Sequence, residues 1–168
     1  MSMSNLQKVF ASGAFAVTGE LGPPKSAERK KIEHHAHLLK NCVDAVNLTD
    51  NQTAIVRTSS IACGRILIEE GLDPVIQITC RDRNRIAIQS DVLGAVALGM
   101  KNILCLQGDH ANFGNEPSAK NVNDLDSMNL IQSLRKMRDE QLFIGGEKLE
   151  APIDLFIGAV ENPFADPF

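Results

Sequence analysis

The chain contains no tryptophan and no tyrosine, and its seven phenylalanines hold the aromatic content to 4%. Proteins that grip single-stranded nucleic acid stack bases on aromatic rings, so that platform is excluded. Positive charge is also short. Seventeen Lys and Arg stand against 21 Asp and Glu, for a net charge of −4, so no basic field draws the chain to nucleic acid or anionic lipid. No stretch approaches the ~18 consecutive apolar residues of a membrane span. The N-terminal MSMSNLQKVFASGAFAV has one Lys and no long apolar core ahead of a small-residue cleavage site, which does not read as a secretory signal. A soluble cytoplasmic protein without nucleic-acid or membrane partners is expected.

Two kinds of motif are missing as well. The four cysteines, Cys42, Cys63, Cys80 and Cys105, are scattered through apolar segments with no CxxC pair. That spacing suits neither a disulfide framework nor a thiolate metal site, and it predicts buried, reduced thiols. In HHAH (34–37), His34 and His37 lie three apart on an expected helix. No acid or cysteine is spaced to complete a ligand set, so they read as surface histidines and no metal is expected. The glycine fingerprint GxGxxG does not follow the first apolar run.

What is present is a repeat of short apolar runs: AFAVTGEL (14–21), DAVNLTD (44–50), PVIQITC (74–80), NILCLQGD (102–109) and IDLFIGAV (153–160). Each has the length of a buried strand, and the patterns between them are helical. The first helix is expected over 26–41, with Ser26 as N-cap and Ile32, Ala36, Leu39 and Val43 on one face. The second covers 59–70 and stops at Gly71. A third spans 84–100, with Ile86, Leu93, Val96, Ala97 and Met100 inward, and a fourth spans 124–140, with Met128, Ile131, Leu134 and Leu142 inward.

Strands and helices alternating at this period predict parallel strands joined by right-handed crossovers. An open sheet would gather its polar residues at one crevice. Here every run ends in polar residues, including Glu20, Thr49 to Asn51, Thr79 to Arg81, Gln107 to His110, and Glu161 with Asn162. Polar residues at the C-terminal ends of many parallel strands mark the active-site face of a (β/α)8 TIM-type barrel. The expected fold class is therefore α/β of that type, with residues 1–168 forming a single partial barrel domain of about five βα units. A closed barrel needs eight such units and typically ~250 residues. Three explanations stand for the rest: a truncated gene, a second chain that completes the barrel, or a second copy. An oligomer or one subunit of a pair is the expected partner state.

Glu20 sits in TGELGPPK, where two prolines fix the chain leaving the first strand. It reads either as a held carboxylate or as a solvated loop acid. Asp109 follows Gly108, which permits close approach of a ligand to the backbone. Two carboxylates on one rim are able to divide acid chemistry from charge stabilisation. CRDRNR (80–85) carries three arginines, consistent with anion capture or with a helix start neutralised by Asp82. Residues 110–123 read as a long surface loop over the rim.

In this order, TGELGPPK, NLTDN, QITCRD, LCLQGDH and IGAVENPF resemble the strand-end motifs of the methylenetetrahydrofolate reductases, from about Phe15 to the C-terminus. The PPK and QGD variants are similar to the branch found in acetogenic and other anaerobic bacteria and in fused methyltransferase-reductases. The resemblance implies a flavin-dependent barrel that reduces 5,10-methylenetetrahydrofolate to 5-methyltetrahydrofolate. Its cofactor would be FAD, with FMN possible, and its electrons would come from reduced nicotinamide or an electron-transfer protein. It implies that Glu20 is the general acid that opens the folate's five-membered ring to an iminium. It implies that Asp109 lies beside flavin and pterin, where it tunes hydride transfer and holds the folate. Thr49, Gln107 and Gly108 match flavin contacts. Gln77 falls where many members carry a histidine, and Asn162 falls near a flavin-contacting tyrosine. The alternative is a catalytically incomplete subunit that binds folate or a partner without turnover.

Overall fold

The computed structural model describes residues 3–161 and residue 164. Each of the five apolar runs forms a strand: β1 (Thr18–Leu21), β2 (Ala45–Leu48), β3 (Pro74–Thr79), β4 (Asn102–Leu106) and β5 (Phe156–Ala159). The helices are α1 (Asn5–Ala11), α2 (Arg29–Leu39), α3 (Ser60–Glu69), α4 (Arg85–Ala97) and α5 (Ser127–Arg135). All strand pairs are parallel and the sheet order is β1-β2-β3-β4-β5. Strands that add always on the same side lack the order reversal of a doubly wound sheet. With crossovers of one hand, the connecting helices then collect on one face, as in a TIM-type barrel. The fold class is therefore α/β, a five-stranded parallel arc of that barrel type.

Successive side chains in a strand point to opposite faces. Leu21, Val46, Leu48, Ile76, Ile78, Ile103 and Cys105 face the helices and are all buried. The opposite, inner face is polar where β1 and β2 meet, with Glu20 opposite Asn47, and continues with Gln77 opposite Leu104 and Leu104 opposite Gly158. At the N-terminal ends of the strands this face is closed by α1. There Leu6 packs on Ala45 and Val75, and the Phe10 and Phe156 ring centroids lie 6.0 Å apart. α1 was not among the expected helices. Its signal was present as Ser4 with Gln7 three residues on, a capping pattern; the Ser4 hydroxyl accepts from the Gln7 N–H at 3.1 Å.

Four expectations are corrected. α2 begins at Arg29, not Ser26, whose hydroxyl instead accepts from the Glu28 N–H in the preceding turn. α4 buries Ile88, Val92 and Ala95, whereas Ile86 is 74% exposed. This helix is apolar on nearly every side, so periodicity does not single out a face and the contacts with the sheet decide. α5 buries Leu130 and Leu134, with Met137 in the π-helical turn that follows, and leaves Met128 exposed. Two apolar stripes share Leu134, and the i, i+4, i+7 stripe packs. Cys63, Cys80 and Cys105 are buried free thiols as expected, but Cys42 is exposed in the turn after α2.

Candidate functional site

A cavity of about 470 Å³ opens at the C-terminal ends of the strands. Glu20, Thr49, Gln77, Gln107, Gly108 and Asp109 all line it, with Leu104, Leu106 and Val160 as an apolar wall. The remaining expected site residue, Asn162, lies outside the described residues.

Glu20 projects from the inner face of β1 and is exposed. The turn after it is pinned from outside. The Pro23 carbonyl accepts from Arg57 Nη1 at 3.0 Å, and the Pro24 carbonyl accepts from the Thr58 N–H at 2.9 Å and its hydroxyl at 3.0 Å. Those bonds and the fixed φ of proline hold the strand end, and with it the Glu20 backbone. Next to it, Thr49 is 2% exposed, and its Oγ1 has no hydrogen-bond partner among the described residues. A buried hydroxyl without a partner costs about 1–3 kcal/mol, a cost that a ligand atom bonded to it would remove. Gln77 is half-buried on the same face, and its side chain makes no hydrogen bond among the described residues.

The strand end of β4 is built differently. Gly108 has φ +88°, and a Cβ there would lie 3.0 Å from Thr79 Cβ and 3.2 Å from Arg81 Cβ. Only glycine adopts that backbone in that space without strain. The turn it makes directs Asp109 back toward β2, where its Oδ2 accepts from the Thr53 N–H at 3.0 Å. Thr53 belongs to a left-handed run, with φ of 45° at Asn51, 57° at Thr53 and 56° at Ala54. A threonine and an alanine in that region are each disfavoured by about 1–2 kcal/mol. Gln107 lines the cavity, but its amide is engaged elsewhere. It donates to Asn123 Oδ1 at 3.1 Å and accepts from the Ser127 N–H at 3.1 Å, tying the long 110–123 loop to the start of α5.

The three arginines of CRDRNR each meet carboxylates of this chain. Arg81 pairs with Asp82 at 2.7 Å, Arg83 with Asp50 at 2.6 Å and Asp91 at 2.7 Å, and Arg85 with Asp124 at 2.8 Å. Burial works against the Arg83 cation, but its bonds to Asp50 and Asp91 hold its pKa above the ordinary value. Arg81 holds the Asp82 carboxyl below its usual range. Asp50 is buried and also accepts from both the backbone N–H and the hydroxyl of Thr79, at 2.9 and 3.0 Å. Asp50 and Arg81 had no individual role in the sequence reading. The signal available was their position at strand ends, and pairing across strands is not encoded locally.

His34 and His35 are exposed, and His37 contacts Glu70 at 2.9 Å. Among the described residues no group of three or more His, Cys, Asp or Glu is placed to hold a metal. Nor is any described helix long and apolar enough to cross a membrane. The cavity thus offers an apolar wall, an unpartnered hydroxyl, an unbonded amide, a position where no side chain projects, and a carboxylate on each of two sides. That set fits a flat ring with a hydrogen-bonding edge.

No curated protein sequence matches the chain. The family model for methylenetetrahydrofolate reductase matches residues 5–147. That span includes β1 to β4 and all the expected site residues except Asn162. The chain therefore belongs to the methylenetetrahydrofolate reductase family, oxidoreductases of folate one-carbon metabolism.

Proposed function

We propose that the chain carries out the flavin-dependent reduction of 5,10-methylenetetrahydrofolate to 5-methyltetrahydrofolate. The observation that carries this reading is the convergence of Glu20 and Asp109, from strands separated by two others, on one cavity with the unpartnered Thr49 hydroxyl. FAD is the cofactor in this reading, with FMN as the other flavin the same residues would suit. When bound, the flavin supplies the hydride chemistry; the protein supplies binding and orientation.

Thr49 and Gln77 would hydrogen-bond the ring's polar edge, and Leu104 and Leu106 would contact its face. Gly108 leaves the backbone bare where the ring must come close. Glu20 carries the proton that a folate ring nitrogen takes up as the bond to the methylene carbon breaks, leaving the iminium that accepts hydride. A positioned acid of this kind contributes typically ~10²–10⁴-fold. Asp109, held by the Thr53 N–H, would orient the pterin. Electrons come from reduced nicotinamide or an electron-transfer protein. β1 and β5 each have one strand neighbour among the described residues, so both edges of the sheet are open to further strand pairing.

The variant Glu20→Gln keeps the size and removes the proton. Stopped-flow spectroscopy on the flavin-loaded protein is expected to show flavin reduction by the electron donor at the unmodified rate and loss of folate turnover. Normal folate turnover by this variant would overturn the assignment.

A further inference from the structure

We propose that Arg81 is the positioning residue for Asp109, acting through the backbone on both sides of its carboxylate. This rests on the reading that Asp109 meets the folate. The Arg81 side chain is 3% exposed and leaves the end of β3, between the loops after β2 and β4. One edge of its guanidinium, Nε and Nη2, grips Asp82, at 2.7 Å for each bond. The remaining donors reach two backbone carbonyls: Nη1 donates to Asp109 O at 3.0 Å, and Nη2 to Asn51 O at 3.2 Å.

Those two carbonyls fix the two features that aim Asp109. The first is its own backbone, at the Gly108 turn packed on Arg81 Cβ. The second is the left-handed loop from Asn51, which presents the Thr53 N–H to Asp109 Oδ2. Arg81 is therefore the common anchor of both contacts. A planar fork with five donors satisfies a carboxylate and two carbonyls at once; a lysine ammonium, with three donors on a point charge, does not. Arg81 also lines the cavity, but four of its five donors are taken by Asp82 and the two carbonyls, so these bonds serve to orient Asp109.

Arg81→Lys, with Asp82→Asn as a milder variant that keeps the arginine but weakens its grip, tests this by two readouts. The first needs no ligand: amide hydrogen exchange followed by NMR. Thr53 N–H protection is expected to fall by roughly tenfold or more in Arg81→Lys, and in the same direction but less in Asp82→Asn, while β3 amides stay protected. Unchanged Thr53 protection in both variants would overturn the proposal. The second is stopped-flow spectroscopy of the flavin-loaded protein. Folate-driven flavin reduction is expected to slow by ~100-fold, the scale of a 1 Å misplacement, while donor-driven reduction keeps its rate. Equal slowing of both half-reactions would mean a general structural role and would also overturn the proposal. If the unmodified protein gives no folate response, the proposed function fails, and the exchange experiment still decides whether Arg81 anchors Asp109.

Discussion

Replacing Gly108 by alanine perturbs the site at a single methyl group, and the structure supplies the size of the effect. The residue sits at φ +88°, where an L side chain is disfavoured by about 1–2 kcal/mol. The added Cβ would also lie 3.0 Å from Thr79 Cβ, 3.2 Å from Thr79 Cγ2 and 3.2 Å from Arg81 Cβ. Thr79 is held by Asp50 and Arg81 by Asp82, Asn51 and Asp109, so neither moves aside at low cost. Overpacking of this kind adds about 1–3 kcal/mol. A combined loss near 3 kcal/mol lowers the melting temperature by roughly 6–12 °C in a chain of this size. Gly71→Ala is the control: φ is +81° and nothing lies within 4 Å, so only the backbone component applies. Calorimetry on the two variants separates the components. The account expects Gly108→Ala to melt clearly below Gly71→Ala, and equal melting temperatures would refute the packing argument.

Three further outcomes are expected. Thr49→Val removes the unpartnered buried hydroxyl, so thermal stability is expected to hold or rise by about 1 kcal/mol while flavin affinity, read by equilibrium dialysis, falls. Asp50→Asn breaks a buried pair; because Arg83 keeps Asp91 and is partly exposed, the loss in denaturant unfolding is expected at about 2–4 kcal/mol, below that of a fully isolated charge. Burial pushes the Cys63 and Cys80 thiols up to about 11, and that of Cys105 to about 12, so all three stay protonated at neutral pH. Titration with a thiol-disulfide reagent is therefore expected to find Cys42 reacting first in the native protein and four thiols after denaturation. Rapid reaction of Cys105 in the native state would contradict the packing of β4.

The barrel arc was legible because each apolar run lies between turn residues, and because Glu20, Thr49, Gln107 and Asp109 all fall where those runs end. Period and strand-end chemistry are local properties. What the chain did not display locally was which face of a helix with apolar residues on nearly every side packs, and so Ile88 lies in the core in place of Ile86. The same holds for the arginines. In CRDRNR only the Arg81–Asp82 pair lies within the motif, while Asp50, Asp91 and Asp124 reach their arginines from elsewhere in the chain. Gln107 shows the converse: a strand-end position marked it for the cavity, but its amide faces the loop and α5. The left-handed backbone at Thr53 and Ala54 had no sequence signal, since neither residue favours it. It persists there because Asp109 and the 110–123 loop hold it: Asp109 accepts from Thr53, Asn115 accepts from the Val56 N–H at 2.9 Å, and Gly114 packs against Ala54.

The central claim, a flavin and a folate meeting between Glu20 and Asp109, is tested most directly by the visible absorption spectrum of the purified protein before and after anaerobic addition of 5-methyltetrahydrofolate. The account predicts a flavin spectrum, native or after loading with FAD or FMN, that bleaches as the folate delivers its electrons in the reverse reaction. A protein that takes up neither flavin, or holds one whose spectrum ignores the folate, would contradict it.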